Sequence, residues 1–223
     1  MIVYGSTLSP FVRKVMVVCA EKGLAPELKP AGMGQGGPEF AEASPFGKMP
    51  AFRDGDFTLC DSSAIIHYIE AKYPEAGLIP EAPEARGRTI WFEEFADTII
   101  VGANTPIFFN RFVGPRVLRM TPDIAAAESA EREAMPKVCD YLERVVPDEG
   151  FLVEDRLTLA DIAVASPLAN LALVGSPVDP VRYPRVTRYL NRILERPSFA
   201  TILEQDRKTI AAMGGAVREA AAA

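Results

Sequence analysis

The chain has 223 residues and a formal net charge of −6, with hydrophobic residues at 48% and charged residues at 24%. That balance suits a globular protein able to bury one or two cores, and an acidic surplus without a basic block argues against nucleic acid as the main partner. No apolar run approaches the roughly 20 residues of a membrane helix. Cys19, Cys60 and Cys139 are too widely spaced for a disulfide framework. The single histidine, His67, excludes a multi-histidine metal site and would have to serve in any Ser-His-Asp triad. The N-terminus opens on a strand-like run instead of a basic and apolar leader, so a reducing cytoplasm is the expected setting.

In chain order, Ile2-Val3-Tyr4 reads as a strand that stops at Gly5. Residues 10–22 read as a helix. Pro10 suits a first turn, where its missing N–H is no loss. Val15, Val18 and Cys19 repeat at i, i+3, i+4, and Gly23 is a stop. Glu27-Leu28-Lys29 is a short second strand. Residues 32–38, rich in glycine, read as a loop, without the Lys-Ser/Thr pair and following helix that a phosphate loop needs. Residues 49–53 and 57–60 are strands joined by Asp54-Gly55, a strong hairpin signal. Asp61-Ser62-Ser63 then opens a helix carrying Ile65, Ile66 and Ile69, which stops before Pro74. A strand–helix–strand unit implies a parallel pair and the hairpin an antiparallel one, so the expected sheet is mixed.

Strand signals fade after residue 85. Residues 86–104, 122–146, 158–174 and 186–194 read as helices. Thr158 and Asp161 have capping-box spacing, and the helix they open is apolar on nearly every face, as in the centre of a bundle. Pro167 should kink it. Residues 73–80 are the candidate linker, which gives an α/β domain over 1–78 and an all-helical domain over 85–223. Residues 220–223 are expected to fray.

Three motifs follow one another in the first part: Ser9-Pro10-Phe11-Val12-Arg13-Lys14-Val15, Phe46-Gly47-Lys48-Met49-Pro50-Ala51-Phe52, and Asp61-Ser62-Ser63-Ala64-Ile65. Thr158-Leu159-Ala160-Asp161-Ile162-Ala163 and Arg196-Pro197-Ser198-Phe199 follow later. Each is weak alone. Together, in this order, they resemble the glutathione S-transferase family over nearly the whole chain. The resemblance implies a thioredoxin-like N-terminal domain with a mixed four-stranded sheet that binds glutathione, and an all-α bundle that walls the site of an apolar electrophile. It implies a homodimer, with glutathione as co-substrate and no metal. The Ser-Pro form is similar to serine-type members, such as the plant tau class and bacterial relatives. It departs from members with cysteine at this position, which favour thiol exchange, and it lacks the SSCS element of the zeta-class isomerases.

By residue type alone, Ser9 reads as a helix cap. In the company of the other motifs it reads as a hydrogen-bond donor to the glutathione thiolate. Tyr4, at the end of the first strand, is the rival donor, and its bland reading is a partly buried strand aromatic. Met49-Pro50 resembles the family's cis-proline turn, which presents the Met49 backbone to the cysteinyl residue, and Lys48 is placed to meet the glycine carboxylate. Asp61 and Ser62 begin a helix whose free N–H groups suit the γ-glutamyl carboxylate, although an Asp/Ser cap pair is common. Phe108, Phe109 and Phe112 either line the electrophile pocket or pack in the core. Cys19 reads as buried and inert, and His67 as a structural or surface histidine. The activity this implies is attack of the glutathione thiolate on small electrophiles. Isomerase, dehalogenase or peroxidase work on the same scaffold, and a non-catalytic binding or stress-response role, are the alternatives.

Overall fold

A computed structural model describes residues 1–215; the fraying expected at 220–223 lies outside them. Two units are separable, divided between Pro80 and Glu81. The first contains β1 (Ile2–Tyr4), α1 (Pro10–Glu21), β2 (Glu27–Lys29), α2 (Gly37–Ala43), β3 (Ala51–Asp54), β4 (Phe57–Cys60) and α3 (Ser62–Lys72). Its four-stranded sheet has the order β2-β1-β3-β4. β1 and β2 are parallel, whereas β3 is antiparallel to both β1 and β4, so the sheet is mixed.

The period of two along each strand divides the core. Val3 pairs with Phe52, and the Phe52 ring meets Tyr68 of α3 with centroids 5.6 Å apart. On that side α1 packs against α3, burying Val12, Val15, Val18 and Cys19 with Ile65, Ile66 and Ile69. Tyr4 and Ala51, the next pair along, form a second cluster with Ala31, Phe40 and Ala43. Phe40 and Ala43 belong to α2, which occupies part of the segment that reads as a loop in the sequence. The glycines that signal a loop there end at Gly37, and Pro38 starts a turn in which Phe40 and Ala43, three apart, both reach the core. A helix therefore does follow the glycines.

The second unit is helical. α4 (Pro83–Glu94) continues through the π-helical segment Phe95–Ile100 into α5 (Val101–Phe108), and on through a second π-helical segment, Phe109–Val117. The sequence reading stopped this helix at residue 104. Pro106, within α5, and Pro115, within the second π-helical segment, lie inside it without ending it. α6 (Ile124–Ser129), a π-helical turn (Ala130–Ala134) and α7 (Met135–Val145) form the next continuous run. α8 (Leu159–Leu173), α9 (Pro184–Leu194) and α10 (Pro197–Ala212) complete the described chain.

α8 is buried from Leu159 to Leu171 and is helical throughout, Pro167 included. The Pro167 carbonyl accepts from Asn104 Nδ2 at 2.7 Å, a buried tie to α5. At the start of α8 the Asp161 carboxylate accepts from the Thr158 N–H (2.9 Å), the Leu152 N–H (2.8 Å), and the hydroxyls of Thr158 (3.1 Å) and Tyr189 (2.9 Å). Burial pushes the Asp161 carboxyl above its ordinary value, and these donors pull against that rise.

Candidate glutathione site

Strand direction assembles the candidate residues. β1 and β4 are each antiparallel to β3, so they run the same way. α1 follows β1 and α3 follows β4, so both helices begin at the same edge of the sheet. β3 runs the other way and starts there too, with Ala51 opposite Tyr4. Ser9, Met49-Pro50 and Asp61-Ser62, scattered along the sequence, thus share one edge of one unit. Helix N-termini carry unpaired N–H groups and partial positive charge, so this edge is suited to anions.

Ser9 occupies the N-cap position of α1 with an extended backbone (φ −75°, ψ 125°), yet its side chain makes no capping bond. Its backbone is fully engaged: the N–H donates to Ser6 O and the C=O accepts from Arg13 N–H, both at 2.9 Å. The hydroxyl sits half-buried at the mouth of the helix with no capping duty. Tyr4 is only 1% exposed. Its ring packs near Phe40, and its hydroxyl donates to Glu39 Oε2 at 3.3 Å. Lys29, bonded to Glu39, holds that carboxyl below its ordinary value.

The Met49–Pro50 peptide bond is cis. Pro50 is buried, Met49 half-buried and the Lys48 side chain exposed. Ser44 Oγ donates to the Lys48 carbonyl at 2.7 Å and fixes the approach to the turn. Among the described residues, no hydrogen bond takes up the Met49 N–H or C=O. Asp61 caps α3: its Oδ1 accepts from the Ser63 N–H (3.0 Å) and the Ala64 N–H (3.1 Å). Its φ of +78° is unusual for a residue other than glycine, the kind of local strain that persists where the surroundings impose it. Ser62 follows in the first turn and is buried.

In the helical unit, Phe108 and Phe112 are buried, with ring centroids 5.8 Å apart, and Phe109 is half-buried. Phe112 also lines a cavity of about 300 Å³ with Arg111, Arg116, Leu173 and Ile210, whereas Phe108 and Phe109 do not. The two arginines went unremarked in the sequence, where nothing in their spacing marks them as lining a cavity. Lys14 also escaped notice; it is buried in α1 and reaches the first turn of α3. His67 is exposed on α3. Cys19 and Cys139 are buried, and burial pushes both thiols up to about 12, far from the thiolate form at neutral pH. Among the described residues, no group of three or more His, Cys, Asp or Glu side chains could hold a metal ion, and no helix is long and apolar enough to cross a membrane.

Comparison with known proteins gives the same two-part division. The family model for the glutathione S-transferase N-terminal domain matches residues 3–77, and that for the glutathione S-transferase C-terminal domain matches residues 120–206. The chain is 34% identical to Glutathione S-transferase 3 of Zea mays over 94% of its own length and 93% of the relative's. A solved glutathione S-transferase from Rhodospirillum rubrum superposes with a TM-score of 0.81 at 25% identity, covering 90% of each chain. A solved glutathione S-transferase-I bound with lactoylglutathione superposes with a TM-score of 0.78 at 26% identity, covering 91% of this chain and 98% of that one. With a thioredoxin-like sheet domain, a helical remainder and likeness sustained from end to end, this chain belongs to the glutathione S-transferase family of enzymes.

Proposed function

We propose that the protein binds glutathione at the shared edge of α1 and α3, and ionises its thiol for attack on small, apolar electrophiles. The observation that carries this reading is the Ser9 hydroxyl, set at a helix N-terminus and not used as a cap. A free thiol titrates near 8.5, and only its thiolate is nucleophilic. Lowering that value by about two units takes about 2.7 kcal/mol. A hydrogen bond to a charged acceptor supplies about 1.5–3 kcal/mol, and a helix N-terminus about 0.3–1. Together these suffice without a general base. Ser9 is a donor to sulfur here, not a nucleophile.

The ends of the tripeptide are held elsewhere. The γ-glutamyl carboxylate meets the Ser62 hydroxyl and the start of α3. Asp61, with Oδ1 engaged in capping, offers Oδ2 to the γ-glutamyl ammonium. The Met49 backbone pairs with the cysteinyl residue, strand to strand, and Lys48 faces the glycine carboxylate. The lactoylglutathione carried by one solved relative supports glutathione as the ligand class. The Phe112-lined cavity is the candidate wall for the electrophile. The working form is a homodimer, for which Trp91, exposed on α4, is the support. Ultraviolet titration of bound glutathione tests the central claim: thiolate absorbance should appear well below the pH at which the free thiol ionises. Its absence at pH 7 to 8 with glutathione bound would leave only a binding role.

A further inference from the structure

The second π-helical segment, Phe109–Val117, changes which side chains share a face. At 3.6 residues per turn, residues five apart stand on different faces of an α-helix. Hydrogen bonding from i to i+5 stacks them instead, and here the Leu118 N–H donates to the Val113 C=O at 3.0 Å. Asn110 and Pro115 are one such pair, Arg111 and Arg116 the other, and all four line the cavity of about 300 Å³ that Phe112 also lines. The Asn110 amide is already committed: Nδ2 donates to the Pro106 C=O and Oδ1 accepts from the Asp123 N–H, both at 2.9 Å. The arginines keep donors in hand. Arg111 gives Nη2 to Glu131 Oε2 at 2.7 Å, but its Nε–H is buried with no hydrogen-bond partner among the described residues. Arg116 is exposed at the cavity, and no carboxylate pairs with it among the described residues.

The lining gives this cavity a sign. Its apolar wall includes Phe112, Leu173 and Ile210, all buried. Its charged residues are Arg111 and Arg116, with no Asp or Glu among the described lining residues. A second cavity of about 630 Å³, which Arg111 also lines, differs: there Glu131 and Asp179 stand with Arg111 and Arg182. A buried guanidinium N–H without an acceptor is costly, and a ligand carboxylate supplies the acceptor in the planar geometry that arginine favours. We propose that Arg111 and Arg116, brought onto one face by the π pitch, select electrophiles in which an apolar body carries a carboxylate or a comparable anion. This rests on the reading that the Phe112-lined cavity receives the electrophile, and it narrows that class. Arg116 is the specificity-determining residue of the two, because Arg111 already shares its charge with Glu131.

The test is steady-state conjugation by the full chain, with glutathione and two aryl chlorides, 4-chloro-3,5-dinitrobenzoate and its neutral primary amide. In both, the thiolate sulfur bonds to the ring carbon that bears chlorine, and chloride leaves with the bonding electron pair. The thiol proton goes to solvent. Each kcat/KM is divided by the rate constant of the same probe with glutathione alone, which removes the difference in intrinsic reactivity. Wild type should favour the benzoate by about 10-fold or more, the scale of a charge-assisted contact. Arg116→Met should lower that preference by about 10-fold, chiefly through the KM of the benzoate, and Arg116→Lys should restore part of it. Arg116 is the residue to change, since Arg111→Met would strand the Glu131 carboxylate. A wild-type preference near one, or a preference that Arg116→Met leaves unchanged, would overturn the proposal. If neither probe is conjugated although bound glutathione shows its thiolate absorbance, the cavity does not receive such electrophiles and the inference falls alone. If no thiolate forms either, the reading beneath it falls too.

Discussion

Ser9 and Tyr4 differ in what their hydroxyls already do. The Ser9 side chain makes no capping bond, so Ser9→Ala should change stability by less than about 0.5 kcal/mol, as at an uncommitted site, and not by the roughly 1 kcal/mol of a lost cap. It should raise the pKa of the bound thiol by about 1–2 units while leaving glutathione affinity nearly unchanged at pH below that of bound-thiol ionisation. Tyr4→Phe removes a bond to Glu39 inside the unit and should leave the thiol where it is. Thiolate absorbance against pH reads both variants, and a rise only in Tyr4→Phe would move the assignment to the tyrosine. The buried thiols make a separate prediction. Cys19 and Cys139 hold their protons to about 12 in the fold, whereas an unfolded thiol releases its proton near 8.5–9. Their contribution to stability is therefore fully present below pH 8.5 and is lost as pH rises toward 12, because the unfolded chain then binds fewer protons. Urea unfolding at pH 8 and pH 10 should show the decline, and Cys19→Ala should flatten it. The helix starts at Ser9-Pro10 and Asp61-Ser62 and the turn at Met49-Pro50 were legible because proline, serine and aspartate in such places are local signals. The burial of Lys14 was not, since a helical lysine normally faces water.

Among the elements, the strands, the Asp54-Gly55 hairpin, α1 and α3 could be read from periodicity and turn residues. The misses share a physical cause. Gly36-Gly37-Pro38, Pro106 and Pro115 are local breakers, and in each case tertiary packing overrides them: Phe40 and Ala43 drive α2 into the core, and Ile107 in α5 and Phe112 within the second π-helical segment are both buried. α10 was passed over because residues 196–199 were read only as a motif. The start of α8 shows the opposite case, where local and tertiary signals agree. The Asp161 carboxylate that accepts from the Thr158 N–H also anchors Leu152 and Tyr189. Asp161→Ala would leave those buried donors without an acceptor and should cost about 3 kcal/mol or more, whereas Tyr189→Phe should cost about 1. Urea midpoints at constant slope would check both figures, and a loss under about 1 kcal/mol for Asp161→Ala would reduce this cluster to an ordinary cap.

For the whole molecule, the division into a sheet unit and a helical unit was anticipated from the fading of strand signals, but no sequence period announces a surface meant for a second copy. Phe46, ahead of β3, is 87% exposed. Trp91 and Phe95 stack with ring centroids 5.3 Å apart, and Tyr141 meets both edge-on. Trp91, Phe92, Gly87 and Tyr141 line a cavity of about 460 Å³. Exposed aromatics of this kind favour association. Light scattering at low micromolar concentration should therefore report twice the mass of the chain, and Phe46→Asp or Trp91→Asp should shift it toward the single-chain mass. A wild-type monomer under these conditions would remove the homodimer from the proposal.

The common direction of β1 and β4 separates architecture from chemistry. The two helix starts that share this edge are set by the backbone and are inherited whatever side chain stands at position 9. That side chain makes no capping bond, and it takes no part in the register of Val3 with Phe52 or in the hairpin at Asp54-Gly55. On the proposed reading, exchanging one atom group at position 9 would redirect what is done to the tripeptide, while the helix starts that form its receptacle are passed on intact.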